Sequence, residues 1–207
     1  MATVVQPLSK PAVADSPLHP LIAERWSPRA FTDQGVSSET LRSLLEAARW
    51  APSAGNQQPW HLLMARKDDS EGFERMLSVL REGNQRWASQ ASVLMLAVAK
   101  QYADSDGTLN SRSLYDVGLA IGMLSVQATA LGLAVHQMGG FYHDKARETL
   151  GIPDGYEPAV AIAIGYGGDH SSLPEDLQAR ELAPRTRKPL REFTFSSTWG
   201  ETAPFLD

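Results

Sequence analysis

The chain has 207 residues, a formal net charge of -5 and no cysteine. The missing thiols exclude disulfides, iron–sulfur clusters, thiolate zinc sites and cysteine nucleophiles, and they suit a reducing compartment such as the cytoplasm. The acidic balance argues against a nucleic-acid surface, and no run of about 18 apolar residues offers a membrane span.

Residues 1–17, rich in Pro, Ala and Ser, read as a flexible lead-in without the basic start or apolar stretch of a secretory signal. Residues 17–26 suit a short helix ending close to Arg29. Ser37 or Ser38 caps the next helix, with Glu39 in its first turn. Leu41, Leu44, Leu45 and Ala48 make its apolar face, and Pro52 stops it. Residues 60–65 suit a strand, and 71–80 a helix through Phe73, Met76, Leu77 and Leu80. The apolar run at 92–99 suits a strand buried on both faces.

A polar loop at 102–113 leads into the longest predicted helix, residues 114–131. Its side chains are small: Gly118, Ala120, Gly122, Ser125, Ala128 and Ala130. Small residues let backbones approach, and helical glycine costs stability that packing must offset. This helix is therefore expected in a crowded centre, against another helix or a partner subunit. A strand at 133–138, a helix at 144–150 with Asp144 near its cap, and a strand at 159–165 follow. From Pro184 onward the chain reads as an extended arm. Alternating strands and helices suggest one layered α/β domain.

Much chemistry is absent from the sequence. His19, His61, His136, His143 and His170 show no metal-ligand spacing and no HExxH. No phosphate-binding loop, GxGxxG or GxSxG is present, and residues 165–168 (GYGG) read as a turn. Three clusters remain. Arg25-Trp26-Ser27-Pro28-Arg29 places two guanidinium groups and a hydroxyl on one helical face or around one turn, which suits a phosphate. Residues 51–60 (APSAGNQQPW) form a rigid polar connector between helix and strand. Gln137-Met138-Gly139-Gly140-Phe141 follows a strand, where paired glycines allow close backbone approach to a flat ligand. Taken alone, these could equally be a solvated basic patch, an ordinary connector and a plain turn.

In order, RxSxR, a helix, APSxxNxQPW, a small-residue helix ending ALGL, GGF, IP and a strand ending IGY resemble the nitroreductase family. The likeness runs from about residue 21 to 190. It implies an α+β fold of three α/β/α layers around a central, mostly antiparallel sheet. It also implies an intertwined homodimer with FMN at the interface and a C-terminal arm, residues 184–207, reaching the partner.

Carried over by position, Arg25, Trp26 and Ser27 match the FMN phosphate and ribityl site, and Arg29 matches a basic residue near the flavin N1 and O2 edge. Arg185 and Arg187 match a basic pair at the phosphate. Pro52, Ser53, Ala54 and Asn56 match a loop touching the flavin from the other subunit. Asn84 matches a flavin contact, and Met138, Gly139 and Gly140 match the backbone facing N5 and O4. One departure stands out: where many members carry a second basic residue after the Asn84 position, this chain has Trp87, with Arg86 beside it.

The resemblance implies an enzyme that uses NAD(P)H to reduce nitroaromatics, quinones or similar conjugated acceptors by a ping-pong cycle. No catalytic side chain of its own is expected; Arg29 would tune the flavin. Alternatives are a dedicated flavoenzyme acting on one metabolite, or a flavin-binding protein without turnover.

Overall fold

A computed structural model describes residues 8–206. The first seven residues of the predicted lead-in lie outside it. Residues 8–17 form no helix or strand, but they are tied to the body: the Ala12 N–H donates to the Ala23 carbonyl at 2.8 Å, and Lys10 Nζ donates to the carbonyls of Glu181 and Ala183.

The elements in chain order are α1 (Pro20–Glu24), α2 (Ser38–Arg49), β1 (Trp60–Arg66), α3 (Ser70–Ser78), α4 (Glu82–Ala88), β2 (Val93–Lys100), α5 (Ser113–Ala130), β3 (Ala134–Met138), α6 (His143–Leu150), β4 (Tyr156–Gly165) and α7 (Glu175–Leu182). Ser37 is the cap of α2, its Oγ accepting from the Thr40 N–H at 3.0 Å. Asp69 caps α3 in the same way, through the Gly72 N–H at 3.1 Å.

The first helix does not reach Arg29. It ends at Glu24, and Arg25 already has an extended ψ of 119°. Ser27 precedes Pro28, whose ring disfavours helical backbone in the residue before it. Arg25 and Arg29 therefore do not share a helical face. Helices α4 and α7 lie where no helix was predicted.

Four strands form one sheet in the order β1-β2-β4-β3. Every neighbouring pair is antiparallel. The alternation of elements therefore produced the expected layers but an antiparallel α+β sheet. The path β2–α5–β3 skips one position, and β4 returns to fill it. A register shift between Ala97 and Val98 lies opposite Pro158, which has no N–H to give the ladder. β3 is left on an edge.

Two cores flank the sheet. On one face α2 and α5 pack Leu41, Leu44, Val117, Ile121 and Leu124 against Val93, Met95, Ile162 and Ile164. On the other, Phe73, Met76, Leu80 and Trp87 cover Leu94, Leu96, Ala161 and Ala163. Side chains alternating along β2 and β4 feed both cores, which is why these strands read as unbroken apolar runs.

Candidate functional site

The structure brings together two basic clusters that are 160 residues apart. A cavity of about 310 Å3 is lined by Lys10, Arg25, Trp26, Ser27, Arg29, Arg180, Arg185 and Arg187, among others. Burial first, and then the nearby charges of Arg185 and Arg187, push the Arg25 guanidinium below the usual arginine range. Burial, and then Arg187, lower Arg185 likewise. Crowding this many cations is unfavourable until an anion joins them.

The arginines differ in what they already hold. Arg185 is a clasp: Nη1 donates to the carbonyls of Lys10 at 2.5 Å and Ala23 at 2.9 Å, and Nη2 to that of Arg25 at 3.0 Å. It fastens the C-terminal arm to the lead-in and to the end of α1. Among the described residues Arg187 donates only to its neighbour, the Thr186 carbonyl. Arg25 reaches Ser27 Oγ at 3.4 Å. Lys10 also lies over the Trp26 ring, 5.1 Å from its centroid.

Arg29 faces Glu181, a side chain only 1% exposed. The next residues are pinned to the end of β4: Thr32 N–H donates to the Tyr166 carbonyl and Gly168 N–H to that of Ala30, both at 2.9 Å. A Cβ on Gly168 would lie 2.6 Å from the Phe31 carbonyl carbon, so this glycine is required by close backbone approach. The predicted turn at 165–168 thus acts as a clamp on the Arg29 segment.

His136, on β3, closes the underside. Its Nδ1 sits 2.9 Å from the Pro28 carbonyl, so that nitrogen carries the proton and donates. Burial first, aided by the charge of Arg29, pushes its pKa down to about 4 against the opposing hydrogen bond to the Pro28 carbonyl.

Further along β3, Met138 is buried and the Gly139–Gly140 turn follows. Asn84 Nδ2 donates to the Gly140 carbonyl at 2.9 Å, and a Cβ on Gly140 would sit 2.7 Å from that nitrogen. Asn84 and Gly140, singled out separately in the sequence, therefore touch. Among the described residues neither glycine's N–H has an acceptor. Trp87 is fully buried, its ring 4.4 Å from that of His136. Arg86 pairs with Asp176 on the surface.

The loop carrying Pro52, Ser53, Ala54 and Asn56 lies elsewhere. The Ala54 N–H donates to the buried Asp116 carboxylate of α5 at 3.2 Å, and Ser53 Oγ accepts from the Gln58 N–H at 3.0 Å. Asn56 takes a left-handed φ of 55°, a conformation asparagine tolerates better than most residues. Arg25 and Trp26 instead border a cavity shared with Thr129, at the far end of α5. Asp116 and Thr129 are separated by about 20 Å of helix, at 1.5 Å per residue. One chain does not place this loop beside the arginine crevice.

Lys10, Asp116, Arg180 and Glu181 were not singled out from the sequence. Nothing local marks them, since they act through contacts with distant segments. Among the described residues no group of three His, Asp or Glu could hold a metal ion.

The profile described as the nitroreductase family matches residues 22–86 and 68–166. A solved oxidoreductase described as containing FMN is 40% identical, with a TM-score of 0.86 over 91% of this chain and 96% of that one. A nitroreductase-like structure in complex with FMN, from Desulfovibrio desulfuricans, is 26% identical, with a TM-score of 0.68 over 86% and 95% of the two chains. An FMN reductase (NADPH) of Bacillus subtilis is 28% identical over 70% of this chain and 64% of its own length.

Proposed function

The chain belongs to the nitroreductase family, and from that premise we propose that it is an FMN-dependent NAD(P)H oxidoreductase acting as a homodimer in the cytoplasm. Its acceptors would be nitroaromatics, quinones or similar conjugated molecules, taken in turn with the nicotinamide donor. The observation that carries this reading is the arginine crevice. Burial, and then the charges of Arg185 and Arg187, lower the proton affinity of Arg25, and burial and then Arg187 lower that of Arg185, while the nearby buried carboxylate of Glu181 already serves Arg29. A phosphate monoester would relieve that repulsion. FMN-containing relatives of similar fold support the choice of anion.

FMN, when bound, supplies the two-electron chemistry between donor and acceptor. The chain's own residues bind and orient it. Arg25, Arg187 and Ser27 would take the phosphate, with Arg185 holding the crevice together from behind. Arg29 would present a cation at the flavin's pyrimidine edge and favour negative charge there. Neutral His136 holds the Pro28 carbonyl and so shapes the turn between Ser27 and Arg29. The free N–H groups of Gly139 and Gly140, backed by Asn84, would face the N5 edge. No nucleophile or general base is required of the protein.

The remaining contacts would come from a second copy. The loop at residues 52–56 is about a helix length from the crevice of its own chain. Along α5, Leu114, Tyr115 and Met123 are 54%, 68% and 46% exposed. Gly118 and Gly122 sit among them with open space where a Cβ would point. Such a stripe of apolar and small residues suits close packing of a partner helix, and would carry each subunit's loop to the other's crevice. The aromatic C-terminal arm, with Phe193, Trp199 and Phe205 exposed, would lie along the partner as well.

The test is the visible absorption spectrum of the purified protein before and after anaerobic addition of NADH or NADPH. Flavin bands that bleach on addition support the reading. A colourless protein that takes up no added FMN overturns it.

A further inference from the structure

The loss of a basic residue after Asn84 leaves open which cation serves the reactive end of the site. Arg86 does not, because Asp176 holds it on the surface in a two-pronged pair at 2.7 and 3.0 Å. Arg81, three residues before Asn84, is the one placed there. Its N–H donates to the Gly140 carbonyl at 3.0 Å, and the Tyr142 N–H donates back to the Val79 carbonyl at 2.8 Å. Leu80 and Phe141 pair antiparallel between them. This short ladder locks residues 79–81 beside the Gly139–Gly140 turn. The Arg81 Cδ lies 3.9 Å from where a Gly140 side chain would begin.

The guanidinium stacks over Tyr142, 5.0 Å from the ring centroid. Tyr142 is itself held by its hydroxyl, which donates to the Glu82 carboxylate at 3.0 Å. Arg81 forms no ion pair among the described residues. With Phe141, Tyr142, His143, Asp144 and Lys145 it lines an open cavity of about 550 Å3. Lys145 is occupied, donating to the Ser78 carbonyl at 2.6 Å. The cavity therefore offers aromatic walls, the Asp144 carboxylate and, oriented on Tyr142, a guanidinium without an ion pair among the described residues.

We propose that Arg81 makes this cavity select conjugated acceptors that bear a carboxylate. The proposal rests on the placement of the flavin's reactive edge at Gly139–Gly140. A guanidinium stacked on an aromatic ring is held for in-plane, bidentate pairing with a carboxylate, while the rings accept the flat body of the same molecule.

Binding of benzoate and of benzamide to the oxidised protein, measured by calorimetry, tests this without turnover. Charge-assisted hydrogen bonds of 1.5–3 kcal/mol correspond to about tenfold or more in affinity. The benzoate-over-benzamide preference is expected to fall about tenfold in R81Q, to survive in R81K and to invert in R81E. The kcat/KM ratio for para-nitrobenzoate over its methyl ester should follow the same order. A preference unchanged in R81Q and R81E overturns the proposal. So does an effect confined to the KM for NAD(P)H, which would assign the anion to the donor's phosphates. Flavin content, read from the visible spectrum of the same samples, separates the two failures. Protein without flavin overturns the cofactor assignment, whereas a flat preference in flavin-loaded protein overturns Arg81 alone.

Discussion

Glu181 holds Arg29 at both ends: its Oε1 accepts from the Arg29 backbone N–H at 2.7 Å, and its Oε2 faces the guanidinium at 3.4 Å. The Ala30 N–H adds a third contact at 3.3 Å. One buried carboxylate on α7 thus fixes the backbone and side chain of a residue 152 positions earlier. Glu181→Ala leaves two backbone donors and a partly buried cation without their acceptor. Removing one partner of such a pair costs about 3 kcal/mol. Urea unfolding of the variant should show that loss, and a change below about 0.5 kcal/mol would mean the carboxylate organises nothing.

Arg29→Ala should lower the two-electron potential of the bound flavin, because it removes positive charge from the site that favours the reduced form. A tenfold change in relative affinity for the two redox states is about 30 mV for a two-electron couple. Potentiometric titration of wild type and variant reads it directly. An unshifted potential would take Arg29 away from the flavin.

Arg187 and Arg185 should fail differently. Arg187, whose recorded bond is to its neighbour's carbonyl, is expected to weaken FMN binding by about tenfold on change to Ala. Turnover at saturating FMN should suffer less. Arg185→Ala should lower stability as well, since three carbonyls lose a donor. Fluorescence titration with FMN and thermal unfolding separate the two. Identical losses in both variants would contradict the division of labour.

His136 gives the fold a specific pH dependence. Its folded pKa is near 4, below the ordinary value of 6.5. Between those values the unfolded chain binds a proton that the folded one refuses, so stability rises with pH there. Above pH 6.5 the residue makes no pH-dependent contribution. Acidification from 6.5 toward 4 should cost roughly 2 to 3 kcal/mol. Unfolding free energies of His136→Gln across that window should show a shallower slope, and parallel curves would refute the assignment.

Much of the architecture was legible because it is written in local patterns. Apolar runs marked β2 and β4, and the serine cap and periodic leucines marked α2. What was missed shares a physical cause. Helices α4 and α7 have only 7 and 8 residues, too short for a clear period. Glu181 reads as a surface residue because burying a carboxylate normally costs too much. Its compensation comes from Arg29, invisible to any local window. The meeting of Arg25 with Arg185 was legible only through family resemblance, and the sheet's antiparallel order could not be deduced from alternation. Proline at position 28 disfavours helix at Ser27, and of the two arrangements that the spacing of Arg25 and Arg29 allows, one helical face or one turn, the chain takes the turn.

Gly122→Leu tests the second subunit. A Cβ at this position meets nothing within 4 Å in a lone chain, and leucine improves helix propensity by about 0.8 kcal/mol. In a dimer packed along this stripe it would force the helices apart. Sedimentation should show a dimer for wild type and a weakened one for the variant. A variant as dimeric as wild type would move the interface off α5.

The separation of Asp116 from Thr129 along one helix has a thermodynamic corollary for a site completed across that interface. FMN and the second subunit become ligands of each other's complex. Whatever factor dimerisation adds to cofactor affinity, cofactor must return to dimer affinity. Dilution would then shed flavin, and added flavin would re-form dimers by mass action. Subunit concentration would set holoenzyme content as directly as cofactor supply does.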